Sequence, residues 1–157
     1  MKTIQQWLDE YGESHKNPTN KMVHWICVPS IFFSVVGLIW SIPAPEIFMN
    51  FNFLPLNWAV IVLAIVFIYY TILSVALSLG MLLFGLFCLT VCHFLSTNVQ
   101  FPLWGISLIV FSVAWIGQFW GHKIEGKKPS FLKDLQFLMI GPAWLMSFIY
   151  KRFGLKY

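Results

Sequence analysis

Charge is nearly absent from the middle of this sequence. Between Met22 and His122 the one formally charged side chain is Glu46. Over the whole chain 10% of residues are charged, 59% are apolar and 18% are aromatic. A soluble domain carries roughly 25% charged residues and uses them to cover its surface. With so few, the outer surface must face lipid. Cysteine is scarce as well. Cys27, Cys88 and Cys92 fall in apolar stretches without CxxC spacing, so they read as small buried hydrophobes rather than a zinc or dithiol site. No G-x-S-x-G, Walker loop or dinucleotide fingerprint is present, which sets aside serine hydrolases and NAD-dependent enzymes. The polar opening, with Asp9, Glu10 and Glu13, does not read as a secretory leader.

The charge that exists is concentrated. All 10 Lys and Arg residues lie before Met22 or after His122, and the net charge is +4. Flanking apolar sequence in this way, they read as topology signals and phospholipid contacts, and no nucleic-acid partner is expected. Ile4, Trp7, Leu8 and Tyr11 recur at helical spacing and suggest a short interfacial helix. Apolar spans are expected near 26–42, 56–75, 80–95 and 103–120. The uncharged block Leu56–Leu95 would reach about 60 Å as one helix, twice the hydrocarbon thickness, so it must fold back, most easily around Ser74–Gly80. The positive-inside rule agrees, because an even number of crossings must separate Lys21 from Lys123. The segment 137–150 is short and broken by Gly141-Pro142, which suits a re-entrant or interfacial element. The expected fold is all-α: residues 1–157 form one polytopic membrane helical bundle of about four transmembrane helices.

Four histidines are available: His15, His24, His93 and His122. His15 and His24 bracket Asn17, Pro18 and Asn20, where Pro18 interrupts any helix and lets two helix ends bring both imidazoles together. Asn17 and Asn20 could fix the ring tautomers or bind water; alternatively the stretch is an ordinary juxtamembrane turn. His122 and Glu125 are three apart and share a helix face. Glu125 could be a ligand, a base, or the acceptor that orients His122. An even number of crossings brings His15, His24 and His122 to one membrane face and leaves His93 near the other, as a fallback ligand. Three or four imidazoles and a carboxylate suit a mononuclear iron, zinc or manganese site. They are too few for a di-iron membrane desaturase.

Two motifs together resemble a known family. His15-x-Asn17-Pro18-x-Asn20-x3-His24 and Trp115-Ile116-x-Gln118-Phe119-x-Gly121-His122, with Glu125 and a basic pair before Pro129, look like the fungal 2-hydroxy-fatty-acid dioxygenase family over about 11–150. The resemblance implies a membrane enzyme of fatty-acid α-oxidation. It would use Fe(II) and O2 to remove one carbon from a 2-hydroxy fatty acid. His15, His24 and His122 match the family's histidines, whereas His93 has no clear counterpart. Glu125, Asn17 and Asn20 would act beside the metal, and Lys127 and Lys128 would guide the substrate carboxylate. Trp40, Trp58, Trp104, Trp115 and Trp120 could line an acyl groove, although interfacial packing explains most of them. The alternatives are a non-catalytic membrane protein with a structural or metal-sensing histidine site, and a zinc-dependent lipid hydrolase. Small size and short loops favour a bacterial inner membrane over an endoplasmic reticulum membrane.

Overall fold

The computed structural model describes residues 2–45, 56–126, 128 and 136–157, and among them every regular element is a helix. Six are described: α1 (Ile4–Gly12), α2 (Pro18–Trp40), α3 (Trp58–Leu73), α4 (Val75–Asn98), α5 (Leu103–Glu125) and α6 (Phe137–Arg152). Of these α2, α4 and α5 are long and apolar enough to cross a membrane, and α3 is a shorter apolar helix. At 1.5 Å per residue the 16 residues of α3 reach about 24 Å, short of the roughly 30 Å hydrocarbon core.

Local chemistry sets the helix ends. Thr3 and Gln6 form a reciprocal capping box at the start of α1, an arrangement that contributes about 1 kcal/mol. Asn17 caps α2, and Pro18 occupies its first turn, where a missing N–H costs nothing. The helix therefore begins well before Ile26, continues through Pro29 and carries His24 within it. Gly126, at φ 71°, ends α5 in the left-handed conformation that a glycine reaches without a Cβ clash.

The reversal in the uncharged block is tighter than the sequence suggests. Ser74 alone leaves the helical conformation, and its hydroxyl accepts the Leu77 N–H to cap α4. Ser78 and Gly80 lie inside α4 instead of forming a turn. The Ser78 hydroxyl bonds back to the Val75 carbonyl, and Gly80 sits against α6, where a Cβ would lie 2.8 Å from the Met146 Sδ and displace that side chain. α3 and α4 then run antiparallel, with Leu63 facing Gly85 and Ala59 packed near Leu89.

α2 and α5 form the most extensive helix pair. They are antiparallel, with Gly37 against Ser107, Gly117 against Cys27, and Gly121 against Asn20 and Val23. Small residues on facing helices let backbones approach, which is what drives association in lipid. Ile68, Leu83, Phe87, Val113 and Ile116 point outward, a face that suits acyl chains.

The apolar face of α1 is not left for the membrane surface. Trp7, Leu8 and Tyr11 are buried with Phe137, Ile140 and Trp144 of α6. α6 thus serves as the packing partner of α1 and closes the end of the bundle that carries the basic flanks.

Candidate metal centre at the closed end of the bundle

Because α2 and α5 are antiparallel, His24 near the start of one helix meets His122 near the end of the other. His15 reaches them from the turn between α1 and α2. All three are buried, and one ligand nitrogen from each lies within 4.8 Å of the others. Their rings meet edge-on, with centroids 4.2 Å apart for His15–His24 and 5.0 Å apart for each pair with His122.

Hydrogen bonds define the tautomers. Nδ1 of His15 lies 2.6 Å from the Tyr11 carbonyl, and Nδ1 of His24 lies 2.9 Å from the Asn20 carbonyl. A carbonyl only accepts, so both Nδ1 atoms carry the proton. In neutral rings both Nε2 atoms then present bare lone pairs, yet they sit 2.9 Å apart. Two lone pairs at that distance repel unless a cation, or a donor such as the Gln118 amide that bonds to His24, lies beside them. The buried Nδ1 of His122 also has no hydrogen-bond partner among the described residues. This donor set fits a divalent transition metal held by imidazoles, each oriented through its other nitrogen or by packing.

His15 cannot easily take up the missing proton. Burial, with His24 close by, pushes its imidazole from 6.5 down to about 3. Its ring is stacked on Tyr11 at 4.2 Å and packed on Trp144 at 5.2 Å. Since the folded value lies below the unfolded one, the unfolded chain binds the extra proton. The stability from neutral His15 is therefore complete above about pH 6.5 and is lost as pH falls towards 3. Thermal unfolding in detergent should show a midpoint that is flat above about pH 7 and declines below it, by up to about 1.4 kcal/mol per pH unit for this proton. The decline should flatten in His15→Gln; an equal slope in that variant would contradict the assignment.

Glu125 has a different place from that of a ligand. Its carboxylate accepts the Lys16 N–H at 2.9 Å, the Asn17 N–H at 2.8 Å and the Asn20 side-chain amide at 3.1 Å. It straps the turn bearing His15 to the end of α5. Asn17 does two jobs, since its side chain also caps α2 through the Thr19 and Asn20 N–H groups. Asn20 is fully buried and ties Glu125 to the Ser14 carbonyl. A Cβ on Gly121 would lie 2.5 Å from the Asn20 Oδ1, so this approach of α2 to α5 requires glycine there.

His93 is not brought to the cluster. It is exposed on α4 with its ring 6.1 Å from Trp40, at the other end of α2 and about 24 Å along that helix from His24. The reason is topological: α4 runs away from the closed end and carries His93 with it. Lys128 is exposed, and Lys127 lies outside the described residues.

An apolar cavity of about 420 Å³ reaches the cluster at His122. Its walls come from four helices: the 28–39 face of α2, the 59–66 face of α3, the 111–122 face of α5, and Phe137, Leu138, Met139, Gly141 and Pro142 at the start of α6. The lining stretch of α2 alone is about 16 Å long. Of the five tryptophans suspected of lining a groove, Trp115 does so. Trp104 and Trp120 face outward, Trp40 neighbours His93, and Trp58 bonds to the Pro43 carbonyl. The polar end of the cavity holds Tyr11, Gln118 and His122. Gln118 and Tyr11 had not stood out as site residues. A spacing signal existed for each, because Gln118 is one helical turn before His122 and Tyr11 is four residues before His15.

Comparison with known proteins identifies the family. Residues 1–153 match the family described as 2-hydroxy-palmitic acid dioxygenase Mpo1-like. The chain belongs to that family. Within the Mpo1-like group, the 2-hydroxy-palmitic acid dioxygenase MPO1 of Saccharomyces cerevisiae is 28% identical over 151 residues, covering 94% of this chain and 80% of the yeast protein. No solved structure matches the chain. All three clustered histidines and the Glu125 strap of this Mpo1-like protein fall inside the matched region.

Proposed function

We propose that this protein is an Fe(II)-dependent membrane dioxygenase that shortens 2-hydroxy fatty acids by one carbon with O2. The observation that carries the proposal is the meeting of two features. A buried trio of histidines sits at the polar end of a long apolar cavity. Family membership and the name of the yeast relative support the substrate class.

His15, His24 and His122 would hold the metal, leaving further coordination positions for small ligands. Fe(II) bound there would supply the redox chemistry with O2 that no side chain of this site offers. The cavity faces of α2, α3, α5 and α6 bind the acyl chain and exclude water from it. A bilayer hydrocarbon core of about 30 Å holds two leaflets, so one membrane acyl chain reaches about 15 Å, close to the length of the α2 lining. Gln118 and Tyr11 offer hydrogen-bond donors to the carboxylate and hydroxyl of a 2-hydroxy acid at the cavity's end. Lys127 and Lys128 follow α5 and supply positive charge for the same carboxylate on its way in.

The basic residues described on both flanks lie at the end of the bundle that holds the histidines, which supports a site at the cytoplasmic face under the positive-inside rule. A eukaryotic endomembrane accords with the yeast relative, and the comparison lends no support to a bacterial inner membrane.

The test is turnover by purified protein in detergent or bilayer discs. With Fe(II) and O2, an even-numbered 2-hydroxy fatty acid should yield the odd-numbered acid one carbon shorter, and omission of Fe(II) or O2 should abolish it. Metal binding without any product would favour the metal-sensing alternative.

A further inference from the structure

At the end remote from the histidines the cavity is lined by small and branched apolar residues of α2 and α3. The lining residues farthest from the histidines are Ala59, 1% exposed near the start of α3, and Ile39, two turns further along α2 than Phe32. Both rest on the packed cluster of Val36, Cys88, Leu89 and Leu103. Just beyond, the Trp58 indole N–H donates to the Pro43 carbonyl at 3.1 Å and ties the start of α3 to the end of α2. Head-group position and far end are thus both built on α2 and its immediate partners. Their separation is a property of rigid helices rather than of a loop.

We infer that Ala59 and Ile39 form a ruler that sets the acyl chain length this protein accepts. The inference rests on the reading that the cavity holds the substrate chain. A chain whose head is fixed near His122 can extend only until its terminal methyl meets Ala59 and Ile39. A longer chain must leave methylenes unhoused, and a shorter one leaves the floor uncovered. One misplaced methylene in an apolar site changes kcat/KM by about tenfold or more.

A second apolar cavity, of about 210 Å³ between α3 and α4, touches the first at Phe32, Leu63 and Val66. It offers a rival bed in which a chain would bend away from the floor. Gly85 lines it, and a Cβ there would have open van der Waals distance of 3.7 Å to Leu63. Substitution of Gly85 therefore distinguishes the two paths.

The experiment measures kcat/KM for saturated 2-hydroxy fatty acids of increasing length with wild type, Ala59→Leu, Ile39→Ala and Gly85→Leu. Fe(II) binding serves as the check that each variant is folded. Leucine fills the space of about three carbons, so Ala59→Leu should move the optimum to shorter chains and lower kcat/KM for the original optimum by about tenfold or more. Ile39→Ala should move it to longer chains, and Gly85→Leu should leave it in place. An unshifted optimum in both Ala59→Leu and Ile39→Ala would overturn the ruler. So would a shift confined to Gly85→Leu. Should wild type turn over no 2-hydroxy fatty acid, the functional reading fails instead. Binding of spin-labelled fatty acids of graded length, followed by quenching of tryptophan fluorescence in the same variants, then tests the ruler on its own.

Discussion

Replacing His15, His24 or His122 singly with alanine should weaken Fe(II) binding at least about a hundredfold and remove turnover, while His93→Ala leaves both intact. Loss of a group that merely supports a ligand costs 10- to 100-fold in metal affinity, so loss of a ligand should cost no less. The structure distinguishes ligand loss from general damage. In the metal-free protein, Nε2 of His15 and Nε2 of His24 face each other at 2.9 Å with their other nitrogens already donating. Removing one of them relieves a repulsion, so the metal-free variants should not unfold in proportion to their lost affinity. The readout is the rise in thermal midpoint on adding Fe(II), which follows from binding to the native state alone. That rise should vanish in each of the three variants and persist in His93→Ala. A persistent rise in any of the three would remove that residue from the site.

Glu125→Ala should lower Fe(II) affinity by about 10- to 100-fold without abolishing it. The carboxylate accepts three hydrogen bonds that hold the His15 turn against α5. Without it the Lys16 and Asn17 N–H groups and the Asn20 amide lose their acceptor, and His15 gains freedom to leave the cluster. At saturating Fe(II) the variant should recover wild-type metal spectra, because no ligand has been removed. Glu125→Gln should fall between, since one amide oxygen can still accept while the amide nitrogen faces other donors. If Glu125 were itself a ligand, its removal would match the histidine variants and saturation would not restore the spectrum.

Much of this site was legible from the order of charges and apolar runs. The need for an even number of crossings between Lys21 and Lys123 puts His24 and His122 at one end, and the antiparallel α2–α5 pair does so. His93 falls at the opposite end by the same logic. The Asn17-Pro18 pair marks a helix start because capping is a local interaction between neighbouring residues.

What was not legible depends on contacts between distant segments. Glu125 lies three residues from His122, which suggested a partnership with that ring. Its actual partners are more than 100 positions away, in a turn whose donors are mostly backbone N–H groups and leave no mark in side-chain identity. The amphipathic face of α1 looked like a membrane-surface element because its partner, α6, is itself too short and interrupted to announce a buried role. The apolar cavity is a space among faces of α2, α3, α5 and α6. Each face reads as ordinary apolar sequence, and the void appears only when α3 and α6 are set against α2 and α5.

The most direct test of the central claim is X-ray absorption at the iron edge of the Fe(II)-loaded protein, with stoichiometry measured on the same sample. One Fe(II) per chain with several imidazole ligands and no sulfur, lost in the His15→Ala/His24→Ala double variant, is the expected result. Absence of bound iron in wild type at neutral pH, or an unchanged imidazole signal in the double variant, would contradict it.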